Sequence, residues 1–427
     1  MGFAENYFSK QKYPVQQLHF PPSGKLKYVV VIPAFCEPGL TDTLNALWNC
    51  PRPGGNIEII IVINYPENSC ESIVRKSCAN EKEAEQWISD HEDESFRAGI
   101  ITLRDIPLSK SGVGYARKTG MDAALCRFEK TGNKSGMIIC FDADCLCDSN
   151  YFLAIEEHAE KHPSADGFNI YFEHPCEGTD YPQEIYEGII QYELHLRYMN
   201  QFLRYAGFPF AYHTIGSSFA VRAGTYALQG GMNSRKAGED FYFLHKIIPL
   251  GNFFEINNTR VIPSPRKSDR VPFGTGAAIG KIIESGAILE TYAPESFLLL
   301  KSFFENTGRL YRADSESSER IIDMAGEPLH SYLVSTSAVD SIQEINSNCS
   351  KESTFRQRFF RWFNAFYVIK YLNYSGRNKF APLPVAEAAK RFLHLVWGDF
   401  KDDFSNMELL NIFRQADRTG KFPIHQQ

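Results

Sequence analysis

The stretch MIICFDADCLCDSNYF (Met137–Phe152) sets an apolar, strand-like run against two aspartates separated by one alanine. A run of this kind reads as a buried β-strand, and two carboxylates crowded at its end repel each other unless a cation lies between them. If the extended geometry continues, residues i and i+2 face the same way, so Asp142 and Asp144 present both carboxylates to one point. Hard oxygen donors of this type suit Mg²⁺ or Mn²⁺, with phosphate and water completing the shell. The plainer reading is an acidic turn leading to a helix capped by Asp148 or Ser149. The motif alone leaves both open.

Upstream of this stretch, strand and helix signals alternate. KYVVVIP (Lys27–Pro33) and EIIIVIN (Glu58–Asn64) read as buried strands, and Gly99–Leu103 as a third. Between them, FCEPGLTDTLNALWNC leads from a loop into an amphipathic helix, Glu71–Phe96 is charge-rich and helical in pattern, and Val113–Phe128 opens a helix after SGVG. Such alternation predicts an α/β fold, an open twisted sheet flanked by helices, in which ligands gather at the carboxyl ends of the strands. Asp142 and Asp144 stand at such an end. SGVG lacks the GK[ST] order of a phosphate-binding P-loop, which leaves its glycines to a tight turn.

From about residue 281 the strand signal fades and the chain turns aromatic and helical, as in FRQRFFRWFNAFYVIKYL. The expected organisation is an N-terminal arm over 1–26, an α/β domain over 27–275 and a mainly helical region over 276–427. Within the last part, Ala313–Arg320 and Ser341–Thr354 are polar enough to predict loops. FRQRFFRWF mixes arginine with aromatic residues, as a peripheral membrane-surface helix would. Core or subunit packing, including packing within a homo-oligomer, is the preferred reading.

The 427 residues carry 45 basic and 51 acidic side chains, a net charge of −6, which is no footprint for nucleic acid. No apolar stretch reaches membrane-spanning length, and the N-terminus lacks a signal-peptide pattern, so a cytoplasmic protein is expected. The ten cysteines are scattered and read as reduced thiols. Cys145 and Cys147 form a CxC pair, but zinc would need a second pair nearby.

Four motifs then occur in one order: VVVIPAFCEP (Val29–Pro38), ARKTGMDAA (Ala116–Ala124), FDADC, and GGMNSRKAGEDFYFLHKI (Gly230–Ile247). Together they resemble the family 2 glycosyltransferases of the GT-A fold, whose patterns approximate VIPAYNE, ARNxGxxxA, a strand ending in DAD, and GG followed by GED. The resemblance spans about residues 27 to 265. It implies a GT-A-like, Rossmann-like domain, a UDP- or GDP-linked nucleotide-sugar donor, a saccharide or other hydroxyl acceptor, and a divalent metal, Mg²⁺ or Mn²⁺, on Asp142 and Asp144.

By the same resemblance, Pro33, Ala34, Phe35, Glu37 and Asn64 would hold the base and ribose. Asn64 stands where relatives carry aspartate, which leaves the base undecided. Asp240 matches the family's catalytic base, and Glu239 would orient the site or the acceptor. Arg117, at the start of its helix, would meet the diphosphate or the acidic cluster itself, with Asp142 also on the donor side. VIPSPRKSDRVPFGTG (Val261–Gly276) has no histidine where many relatives place a metal ligand. Arg266, Lys267 and Arg270 offer guanidinium and ammonium groups to the diphosphate instead. His245 reads as a packed side chain rather than a ligand. Two other classes compete. A sugar nucleotidyltransferase would carry a glycine-rich basic loop after the first strand, where this chain has FCEP. A non-catalytic nucleotide-sugar-binding protein would have no need of both DAD and GED.

Overall fold

The computed structural model describes residues 2–11, 14–91, 93–108, 110–268, 274–399 and 403–423. They divide into two compact units, Met1–Pro182 with Thr214–Gly280, and Gln183–His213 with Lys281–Gln427. The second unit thus takes up residues 183–213, which lie inside the 27–275 span.

The first unit is built on an eight-stranded mixed sheet. In chain order its strands are β1 (Leu26–Ala34), β2 (Asn56–Pro66), β3 (Phe96–Ile106), β4 (Met137–Cys140), β5 (Leu146–Cys147), β6 (Gly167–Phe172), β7 (Phe219–Arg222) and β8 (Phe253–Ile262). Their spatial order is β3-β2-β1-β4-β7-β6-β8-β5. β1, β2, β3 and β4 are parallel, as the apolar runs predict. β7 then runs antiparallel between β4 and β6, and this reversal brings the start of β7 beside the end of β4. The sheet with its flanking helices is an open α/β architecture of the kind expected from the alternating strand and helix signals.

Val29, Val30, Val31 and Ile32 of β1 and Ile59, Ile60, Ile61 and Val62 of β2 are fully buried, as befits central strands covered on both faces. The helix Val113–Lys130 lies on β1 and β2. Gly120 permits this close approach, because a Cβ there would fall 2.4 Å from Val31 Cγ1 and 3.0 Å from Val62 Cγ2.

The N-terminal arm is tied to this sheet. Ser23 donates from its amide and hydroxyl to Glu58 Oε1 (2.8 and 3.0 Å), and Arg127 pairs with the same buried carboxylate. Tyr7, on a short helix Glu5–Phe8, donates to Asp122 Oδ1 at 2.5 Å. A buried charge is tolerable only with such partners.

The second unit is helical. Helix Gln183–Tyr205 packs with helices Val385–Trp397 and Asn406–Thr419, and its Phe202 stacks on Phe297 of helix Pro294–Glu305 with ring centroids 4.6 Å apart. Arg197 bridges Glu193 and Asp417, and Asp417 also accepts from Gln201 and His213.

Two sequence expectations fail in this unit. Residues 313–320 and 341–354, predicted as loops, contribute to helices Ser315–Asp323, Ala338–Ser347 and Glu352–Trp362. Each buries a narrow stripe, Ile321 with Ile322, Ile342, and Phe355 with Phe359 and Phe360, so a few apolar contacts outweigh polar composition. Asp314 caps the first by accepting from the Ser317 amide at 2.8 Å. The aromatic side chains of FRQRFFRWF turn inward and the arginines outward, in line with core packing. Among the described residues no helix is long and apolar enough to cross a membrane.

Candidate active site

The site forms where β1, β4 and the start of β7 meet. β4 ends at Cys140, and the Phe141 amide extends its pairing by donating to Val31 O at 3.1 Å. The chain then turns: Cys145 N–H donates to Asp142 O at 3.1 Å. The two aspartates therefore sit on a turn rather than on a continuing strand, and their carboxylates go to different partners. Thr43 holds the turn from below by donating to Cys145 O at 2.9 Å.

Arg117 organises the first of these partnerships. Its Nη2 donates to Asp142 Oδ1 at 2.9 Å, its Nε to Glu239 Oε1 at 3.0 Å and its Nη1 to Gly216 O at 2.9 Å. The side chain is only 2% exposed. Burial works against its charge, but the charges of Asp142 and Glu239 raise its pKa well above the ordinary value. Of the two expected partners, diphosphate or acidic cluster, the geometry puts Arg117 on the cluster. Lys118, its neighbour, points away to Asp122 and Tyr7.

Glu239 and Asp240 open the helix Glu239–Ile247, where the helix dipole favours acidic side chains. Glu239 is buried behind Arg117, whereas Asp240 is half-buried. Burial, reinforced by the charge of Glu239 and only partly opposed by Arg117, pushes the Asp240 carboxyl up to about 7. Gly216 separates the two groups, since a Cβ there would lie 2.8 Å from Arg117 Nη2 and 3.1 Å from Asp240 Oδ2.

Arg266 organises the other side. It donates from Nε to Asp144 Oδ2 at 3.0 Å and from Nη2 to Glu37 Oε2 at 2.6 Å. Burial raises the Asp144 carboxyl to about 6; Arg266 lowers it, while Asp142 and Glu37 push it up. Glu37 follows β1 through Cys36, which has φ of 50°. Asn80 holds the Glu37 backbone on both sides, accepting from its amide at 2.6 Å and donating to its carbonyl at 2.8 Å.

Pro33 and Ala34 end β1, and Phe35 follows half-buried. Asn64, near the end of β2, is buried and donates to Gly112 O at 3.5 Å, a long bond. Arg270 lies outside the described residues. His245 makes a 2.6 Å contact from Nδ1 to Phe241 O within its own helix, and burial lowers its pKa to about 4, consistent with packing. Asn80 and Gly216 escaped the sequence reading, because a backbone clamp and a missing side chain leave no pattern in one sequence.

The residues fit a divalent cation. Five carboxylates, Glu37, Asp142, Asp144, Glu239 and Asp240, face two guanidiniums, so three negative charges are in excess when all are ionised. Arginine engages one oxygen each of Asp142 and Asp144, leaving the other for a metal. Among the described residues no three His, Cys, Asp or Glu side chains converge as a metal-holding group. Phosphate and water would therefore supply the remaining ligands.

The chain is similar to the crystal structure of S. aureus TarS 1–349 in complex with UDP-GlcNAc, at 13% identity and a TM-score of 0.41, covering 82% of this chain and 92% of that one. It is also similar to the same protein in complex with UDP, at 14% identity and a TM-score of 0.39, covering 82% and 91%. Nothing among the curated proteins matches. A family model described as Glycosyl transferase family 2 matches residues 29–223, which hold most of β1, all of β2 through β7, Arg117 and the DAD turn. Over residues 29–223 the chain is thus similar to glycosyl transferase family 2.

Proposed function

We propose that this protein is a glycosyltransferase that moves a sugar from a nucleoside-diphosphate donor, UDP- or GDP-linked, to a hydroxyl of a saccharide or related acceptor, with inversion at the anomeric carbon. The observation that carries the reading is the joining of Asp142 and Glu239 through Arg117, with Asp240 alongside, at the carboxyl end of the sheet. Donor-binding and acceptor-activating carboxylates are thereby held in one rigid cluster.

In this reading Asp240 accepts the proton of the acceptor hydroxyl as the oxygen attacks the anomeric carbon, and a carboxyl at about 7 suits a base working near neutrality. Single displacement follows from there being one attack, by the acceptor itself. Asp142 and Asp144 would hold Mg²⁺ or Mn²⁺, which when bound neutralises charge on the diphosphate leaving group. Arg117 acts as a positioning residue, fixing Asp142 and Glu239. Arg266 sets the orientation of Asp144 and Glu37 and is the described arginine best placed to approach phosphate oxygens. Pro33, Ala34, Phe35 and Asn64 line the nucleoside end, where the Asn64 amide both donates and accepts.

A thermal-shift panel of nucleotide sugars with Mn²⁺ tests the reading. A true donor near 100 Kd stabilises the folded chain by about 2.7 kcal/mol. No stabilisation by any nucleoside diphosphate or its sugars would remove the donor assignment.

A further inference from the structure

We propose that Cys50 and Cys147 form a redox-active dithiol, a modification site at which a hydroperoxide produces an intramolecular disulfide joining the end of helix Leu40–Trp48 to strand β5. The inference goes beyond sugar transfer and does not depend on it.

The two Sγ atoms lie 3.8 Å apart although 97 residues separate them in sequence. Closing to a disulfide of about 2.05 Å needs under about 2 Å of side-chain movement. Cys50 is buried beyond the C-terminus of its helix, whereas Cys147 is half-buried on β5, the outermost strand of the sheet, beside the exposed Leu146. A small oxidant therefore reaches the pair from the sheet edge.

The surroundings differentiate the two sulfurs. Cys50 lies against the Tyr151 amide at the N-terminus of the eleven-residue helix Tyr151–Lys161. A hydrogen bond from Cys147, that amide and the charge of Arg52 together lower its pKa despite burial. Helix N-termini and neighbouring cations favour thiolates, and the thiolate is the form that oxidants attack. The Tyr151 hydroxyl, buried in the same thiol-lined region without a hydrogen-bond partner, is a donor suited to the oxygen of a sulfenic acid.

The chemistry balances with hydrogen peroxide as oxidant. Cys50 thiolate takes one peroxide oxygen, the O–O bond breaks, and the departing hydroxide is protonated to water, leaving a sulfenic acid. Cys147 sulfur then attacks the Cys50 sulfur, the S–S bond forms, the S–O bond breaks, and the leaving hydroxide takes up the Cys147 proton as a second water. Two thiols lose two electrons, and one peroxide gains them.

The position gives the bond a consequence. Cys147 lies three residues beyond Asp144 and is paired with Val261 of β8, the strand that leads to Arg266. The disulfide would brace the DAD turn and the Arg266 loop together.

Peptide mapping tests this on the full chain. The reduced protein is exposed to hydrogen peroxide, its remaining thiols are alkylated, and the digest is read by mass spectrometry. A Cys50–Cys147 cross-linked peptide that dithiothreitol reverses is expected, together with a higher thermal midpoint absent from Cys50→Ser and Cys147→Ser. The map of the unsubstituted protein decides even if a variant folds poorly. Both thiols remaining open to alkylation under conditions that oxidise the exposed Cys70, or cross-linking seen only in urea, would overturn the proposal.

Discussion

Arg117 Nη2 lies 2.9 Å from Asp142 Oδ1 while the same guanidinium holds Glu239 at 3.0 Å. One buried side chain thus joins the DAD turn to the GED helix. Removing it as Arg117→Met leaves Glu239 buried without its partner, at a cost of about 3–5 kcal/mol. Arg117→Lys keeps the charge but loses the planar fork that serves three acceptors. It should unfold at lower denaturant and lose transfer activity by about tenfold or more, a drop of about 1.4 kcal/mol or more in transition-state stabilisation. Wild-type denaturation midpoints for both variants would show that the network carries no weight.

Gly216→Ala tests how closely that network is packed against Asp240. The new methyl would meet Arg117 Nη2 at 2.8 Å and Asp240 Oδ2 at 3.1 Å. Arg117 cannot simply swing aside, because its guanidinium is bonded on three sides. Overpacking of this kind costs about 1–3 kcal/mol. Turnover should fall more than donor affinity, and unchanged kinetics would mean that the gap at Gly216 is idle.

Asp240 gives a pH prediction with a definite sign. Its carboxyl stands at about 7 in the folded chain, against an ordinary value of about 3.9 when unfolded. The folded state thus favours the protonated form. That stability is full below pH ~4 and is lost as pH rises through ~7. In the chain without metal or donor, Asp240→Asn stays neutral and should become more stable than wild type above pH ~7, with little difference near pH ~4. Parallel stability curves across that range would contradict the raised pKa. The base reading adds that kcat/KM should rise with pH through the same region.

The carboxylates of the DAD turn give the metal prediction. Asp144→Ala should abolish metal-dependent binding of a nucleoside diphosphate in calorimetry. Arg266→Ala removes a cation from beside Asp144 and Glu37, so it should strengthen binding of Mn²⁺ alone and weaken metal-free binding of the diphosphate. Undiminished metal-dependent binding in Asp144→Ala would remove its role as a ligand.

Much of this arrangement was legible in the sequence because its carriers are local. Val29–Ile32 and Ile59–Val62 announce buried parallel strands by being continuously apolar, and Asp142, Asp144, Glu239 and Asp240 fall in recognisable motifs. What stayed hidden depends on tertiary contact. The turn at Asp142–Cys145 closes through a backbone bond that no side-chain pattern marks. The inward role of Arg117 depends on Gly216 and Glu239, respectively 99 and 122 residues away. The helices over 315–323 and 338–347 bury only Ile321 with Ile322 and Ala338 with Ile342 among polar residues, too narrow a stripe to distinguish from loop by composition.

Asp240 is proposed to serve as the base of a single displacement on a nucleotide sugar. This role is tested most directly by proton NMR of the sugar released from the donor selected by thermal shift, with water as acceptor, in wild type and Asp240→Asn. The first-formed anomer should be inverted, donor affinity should be equal in the two proteins, and the rate in Asp240→Asn should fall by about 10² to 10⁴-fold. A first-formed anomer that keeps the donor's configuration, or an Asp240→Asn protein working at the wild-type rate, would contradict it.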